Sequence, residues 1–217
     1  MKKPAAFLSL SGLIAPILFT SMTVICASLR PGYSHADQFM SELAATGTSH
    51  ADLMAYAGFI PSGLMCTVFG ISLLLLLPKS ILGRIAAVLV IFFGIGVVAA
   101  GFYPCDEGCP QQDGSTANMI HNQVSGLAFM SMIVGIFLNG IAFRKFDFWK
   151  TTWLYSVASA LLATVFMILL LNSLESPVNK GLWQRLLLAT IFLWMMILGT
   201  KLFNFSRKNQ RDNLPSM

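Results

Sequence analysis

Ser41, Glu42, Asp106, His121 and Arg185 are the side chains of this sequence best suited to chemistry. A carboxylate near an imidazole, with a hydroxyl in reach, is the minimum set for base-assisted nucleophilic attack. In that arrangement His121 is the general base, Asp106 its orienting carboxylate and Ser41 the nucleophile or donor. Glu42 and Arg185 complete it as ligand-binding groups, the guanidinium acting as a clamp for a phosphate or carboxylate. Asn122 and Gln123 stand beside His121, and Ser125 lies one helical turn further on the same face. Plainer roles are open to each: a turn hydroxyl for Ser41, a turn-capping carboxylate for Asp106, an interfacial helix-start residue for His121. Arg185 would then be a snorkelling side chain or a partner of Glu175.

Metal and cofactor chemistry find little support. The histidines are His35, His50 and His121, none paired at ligand spacing on a helix, whereas zinc needs three or four convergent ligands. Cys105, Cys109, His121 and Asp106 could be drawn together, but a disulfide would consume two of them. Cys105 and Cys109 bracket a glycine-containing turn in Tyr-Pro-Cys-Asp-Glu-Gly-Cys-Pro. In an oxidising compartment such a pair reads as a small disulfide loop, with free thiols as the alternative. Cys26 and Cys66 lie in apolar runs and read as packing residues. Neither a metal nor a cofactor is expected.

The elements that must position these groups are six apolar stretches, at 5–29, 54–77, 81–102, 119–143, 151–171 and 182–205. Each reaches the roughly 20 residues needed to cross a hydrocarbon core as a helix. Backbone left unpaired in lipid is too costly for any other reading of segments this long. The expected fold is an all-α integral membrane protein, a six-transmembrane-helix bundle with a short interfacial helix in the first outer loop. Residues 1–205 form the six-span domain and 206–217 a polar cytoplasmic tail. The first stretch exceeds the 7–15 residues of a signal-peptide core and reads as a retained span.

Charge orients the bundle. The chain is 56% hydrophobic, 11% charged and formally +5, which might suggest nucleic acid. Alternating the sides of successive spans instead groups Lys2, Lys3, Lys79, Arg84, Arg144, Lys145, Lys150, Lys201, Arg207, Lys208 and Arg211 on one side. Arg30, Lys180 and Arg185 alone fall on the other. The bias of Lys and Arg toward the cytoplasm puts both termini inside, in a cytoplasmic (inner) membrane. The basic face then meets anionic lipid rather than nucleic acid. No Asp, Glu, Lys or Arg occupies the middle of a span, which argues against a proton- or sodium-coupled carrier.

Ser-His-Ala-Asp occurs twice in the first outer connection, at 34–37 and 49–52. The first copy predicts a cap for a short helix over 37–46, ended by Gly47 and lying at the interface. The second predicts a cap for the second span. Gly58, Ser62, Cys66 and Gly70 recur along one face of that span, a pattern that lets helix backbones approach. Packing within the chain is the plainer use of this face, and a homo-oligomer contact the other. Pro16 and Pro61 predict kinks, and Trp149, Trp153 and Trp183 read as interfacial anchors.

Three segments carry a family resemblance: Tyr33-Ser34-His35 with Phe39-Met40-Ser41-Glu42-Leu43-Ala44, Gly101-Phe102-Tyr103-Pro104-Cys105-Asp106 with His121, and Gly181-Leu182-Trp183-Gln184-Arg185. In these the chain resembles the membrane family called domain of unknown function 998, from Tyr33 to about Phe203. The resemblance implies about six spans, with Ser41, Asp106, His121 and Arg185 at recurring polar positions and no known activity. Membrane-embedded ceramidase-like hydrolases invite comparison too, but the chain lacks one of their spans and the His pair of their last helix. Two functions are therefore expected in order: binding or organising a membrane lipid or membrane partner at an outward-facing polar rim, then an outward-facing hydrolase or transferase on a lipid-like substrate. Uncoupled small-molecule transport ranks last.

Overall fold

The structure, a computed structural model, describes residues 3–174 and 178–212. Among these it is all-helical, with no strand. Six helices are long and apolar enough to cross a membrane: α1 (Ala6–Ser28), α2 (Ala51–Leu76), α3 (Ile81–Phe102), α4 (Thr116–Phe143), α5 (Asp147–Asn172) and α6 (Lys180–Lys208). They form a multi-pass bundle in which consecutive helices run in opposite directions. The connections 29–50 and 103–115, with residues 173–174 and 178–179, gather at one end, here the cap end, and the short basic connections at the other. Large apolar side chains such as Ile81, Leu127 and Leu154 point outward, an arrangement suited to hydrocarbon rather than water. Trp194, Phe69, Phe93, Met132 and Ile136 fill the centre. Trp194 satisfies its indole by donating Nε1–H to Ser156 Oγ at 2.9 Å.

The tightest crossing joins α2 to α3. A Cβ on Gly63 would lie 2.6 Å from Val98 N, and one on Gly70 would lie 2.8 Å from Ile91 N. A Cβ on Gly94 would overlap the backbone nitrogen of Thr67. Only glycine lets these backbones touch. The four-residue stripe is split by this crossing: Gly70 serves it, Gly58 packs on Met54 and Met22, and Ser62 and Cys66 turn inward. All four residues are buried within one chain.

Several local expectations resolve differently. The helix over 37–46 is instead a 3-10 turn, Met40–Ala44, with all five residues buried rather than lying on the interface. Ser34 does bind Asp37, accepting from its N–H at 3.2 Å, but this closes a turn without starting a helix. The second Ser-His-Ala-Asp copy caps nothing with Ser49: the N-cap of the helix at Ala51–Leu53 is His50, in a left-handed conformation at φ 59°. A π-helical segment, Met54–Phe59, precedes Pro61, where the helix must absorb a missing N–H. Trp149 is no interfacial anchor; it is fully buried, with its ring stacked on Phe143 at 5.1 Å. The last helix continues past Phe205 to Asp212.

The α2–α3 contact predicts that Gly94→Val costs about 3 kcal/mol by overpacking. Gly126→Ala, on α4, should instead match the wild type or exceed it by up to about 1 kcal/mol, because a Cβ there meets nothing within 4 Å. Thermal unfolding in detergent measures both, and equal midpoints for the two variants would contradict the crossing.

Candidate functional site

At the cap end, residues far apart in the chain are bound together by one buried carboxylate. Glu42 stands in the 3-10 turn and accepts from Phe39 N and Gln38 Nε2, each at 3.0 Å. Its third partner is Lys180, at the start of α6, with Nζ 3.2 Å from Glu42 Oε1. Lys180 also donates to Gly108 O at 3.3 Å and stands over the Phe39 ring. Arg30 donates to Glu42 O and lies 3.6 Å from Glu107 Oε1. A carboxylate so enclosed persists only because both of its oxygens find donors.

Arg185 is likewise committed. Its Nη1 donates to Gln38 O at 2.9 Å and Gly181 O at 3.0 Å, and its Nη2 donates to the Tyr33 hydroxyl at 2.6 Å. That hydroxyl donates onward to Phe39 O at 2.9 Å. Burial pushes the Tyr33 phenol up, with Arg185 partly opposing it. Met40 N donates to Gln184 Oε1 at 2.7 Å, and Leu182 N to Ala36 O at 2.7 Å. Glu42 and Arg185, expected as ligand groups, thus brace the cap. Glu175 lies outside the described residues.

Asp106 and His121 do not meet. Both Asp106 oxygens accept from Ser115, from its N–H at 2.6 Å and its hydroxyl at 2.8 Å. These bonds, the backbone one first, hold its carboxyl below the usual range. Ser115 in turn caps α4 by accepting from Asn118 N at 3.2 Å. The buried His121 ring places Nδ1 2.8 Å from Tyr103 O, a carbonyl that can only accept, so Nδ1 carries a proton; the Ala100 carbonyl is a second backbone partner of the ring. Cys105 and Cys109 form a disulfide with Cα atoms 5.1 Å apart. Ser41 Oγ lies 3.4 Å from Cys109 Sγ, and a disulfide sulfur can only accept. Among the described residues no hydrogen bond links Ser41 to His121, and no group of three His, Cys, Asp or Glu side chains could hold a metal.

What Ser41 and His121 do share is a cavity of about 160 Å³ beneath the cap. Its mouth is polar, with Ser41, Gln111, His121, Asn122, Ser125 and Gln184. Its walls are apolar, from Phe19, Phe59, Phe93, Phe129, Leu188 and Phe192. Cavities of this order lined by apolar side chains take up small apolar molecules. Ser62, 2% exposed, lines the cavity with its hydroxyl unpaired. Sequence reasoning passed over Ser62 and Gln184 as site residues; the signal for Ser62 was a hydroxyl inside an apolar run.

The family model described as Protein of unknown function (DUF998) matches residues 13–201. No curated protein and no solved structure matches the chain.

Two measurements test this geometry. Alkylation of denatured, unreduced protein should label Cys26 and Cys66 alone; labelling of Cys105 and Cys109 as well would contradict the disulfide. A depressed folded pKa means the Asp106 contribution is complete above its ordinary 3.8 and is lost as pH falls through the lower folded value. Asp106→Asn should therefore lower the thermal midpoint at pH 7 and soften its fall below about pH 4. An unchanged midpoint with an unchanged acid limb would contradict the Ser115 pairing.

Proposed function

The chain belongs to the DUF998 family, whose description assigns no activity, and from its own geometry we propose that it binds an amphipathic membrane lipid in the cavity beneath the cap. The observation that carries this reading is the cavity's composition: aromatic and aliphatic walls under a short polar mouth. A lipid presents the same sequence of surfaces, and ligand sites combine mostly apolar walls with a few placed polar groups. The distribution of basic residues supports placing the cap outside a cytoplasmic membrane with both termini inside. The buried cap would then face the extracytoplasmic side, where its disulfide persists.

Hydrolysis has weaker support. Ser41 and His121 reach the cavity, but Asp106 serves Ser115 and Arg185 serves the cap backbone. Nucleophile, base, orienting carboxylate and anion clamp are therefore not assembled around one reacting atom, as base-assisted attack requires. Coupled transport is disfavoured because, among the described residues, no Asp, Glu, Lys or Arg lines the cavity.

Native mass spectrometry of the full chain, gently extracted in detergent, tests the binding reading. The wild type should carry one retained amphiphile per chain. Cys66→Phe, which fills the cavity, should lower that occupancy about tenfold, a change of roughly 1.4 kcal/mol in affinity. A bare wild-type mass, or equal occupancy in a monodisperse Cys66→Phe protein, would contradict it.

A further inference from the structure

Among the described residues the cavity lining contains no Asp, Glu, Lys or Arg. The cations nearest in topology are already engaged: Lys180 by Glu42 and Gly108 O, Arg185 by two carbonyls and Tyr33, Arg30 by Glu42 O and Glu107. Among the described residues two acids of the cap are engaged as well, Glu42 by Lys180 and Asp106 by Ser115. A phosphate, carboxylate or ammonium drawn into this space would lose its hydration without gaining a counter-charge, which costs far more than burying an uncharged polar group. The lining therefore selects against charge.

It does offer hydrogen bonds. Ser62 Oγ is buried without a partner, and an unpaired buried hydroxyl costs stability unless something fills its valence. Gln184 gives its Oε1 to Met40 N and keeps its amide N–H groups. A hydroxyl headgroup, both donor and acceptor, complements this set.

The cavity also has a side. Near the basic end α4 and α5 are closed on each other, since a Cβ on Gly140 would lie 2.9 Å from Val157 and 3.1 Å from Ser156. Toward the cap end both helices instead line the cavity, α4 through Ser125, Gly126 and Phe129, α5 through Met167 and Leu171. A Cβ on Gly126 would meet nothing within 4 Å, and Leu171 is exposed. The pair forms a wedge that widens toward the cap-side leaflet.

Resting on the lipid-binding reading, we propose that the ligand is an uncharged, hydroxyl-bearing acylglycerol whose glycerol end, the part a cavity of about 160 Å³ can seat, enters sideways from the cap-side leaflet between α4 and α5 while its acyl chains trail out through that doorway. The full chain, exchanged into fresh detergent, is mixed with phosphatidylcholine vesicles doped equally with dioleoylglycerol and dioleoyl phosphatidic acid. Adducts are then counted by native mass spectrometry. Dioleoylglycerol should exceed both phospholipids by about tenfold. Gly126→Trp should cut its uptake about tenfold, while Leu127→Trp, on the lipid-facing neighbour at 71% exposure, should leave uptake unchanged. Ser62→Ala should bind several-fold less while melting no lower than the wild type, because it removes an unpaired buried hydroxyl. Phosphatidic acid or phosphatidylcholine adducts at or above the dioleoylglycerol level would overturn the uncharged class. Wild-type uptake by Gly126→Trp would overturn the doorway. A chain that keeps a lipid from its own membrane but takes up no dioleoylglycerol refutes this proposal alone, whereas a chain carrying no amphiphile under any condition refutes the binding reading beneath it.

Discussion

The Glu42 carboxylate organises the cap end of the bundle. Buried to 2% exposure, it closes the 3-10 turn through Phe39 N and reaches across to Lys180 at the head of the last helix. A buried charge of this kind is tolerable only while its partners stay in place, and removing one partner typically costs about 3–5 kcal/mol. The pair therefore contributes less to net stability than to specificity: it obliges the first long connection to lie against α6. Arg185, Arg30 and Gln184 extend the same obligation to neighbouring backbone. The disulfide loop joins through Thr46 N, which donates to Cys105 O at 2.8 Å.

Because Glu42, Lys180 and Arg185 are satisfied within the cap, the space below it is lined, among the described residues, without a formal charge. The glycine crossing of α2 on α3 makes one wall dense, and Gly96 brings Ala128 of α4 close to α3 in the same way. Ser62 and Cys66 are left facing inward, and the remaining looseness falls between α4 and α5. Close packing on one side and a wedge on the other are what a bundle needs if it is to hold a lipid without unfolding. Lipid removes the hydrophobic drive for helix association, so small-residue contacts of the first kind must carry the stability.

The spans were plain in the sequence, since lengths near 20 apolar residues admit only helices. The gathering of polar residues at one end followed from counting spans, and the disulfide from its short spacing. Which polar groups face a cavity was not legible. Asp106 was paired with His121 on chemical grounds, yet Ser115 offers it a backbone N–H and a hydroxyl at the start of α4. Arg185 and Glu42 have the composition of an anion site, but their partners lie in distant segments that no local pattern announces. The helix over 37–46 failed for a related reason: tertiary bonds to Gln38, Phe39 and Met40 hold that backbone in turns. Periodicity reports which face of a helix is apolar. It says nothing of which polar side chain is already spoken for.

The central claim, the hydroxyl end of a neutral lipid seated inside the bundle beneath a charge-satisfied cap, is tested most directly by photo-crosslinking in proteoliposomes. An acylglycerol carrying a diazirine at its glycerol end would be activated and the modified residues read by peptide mass spectrometry. Labels on Phe129, Leu188 and Phe192, which line the cavity, are predicted. Labels confined to outward-facing residues such as Phe92, Leu127 and Leu161 would contradict it.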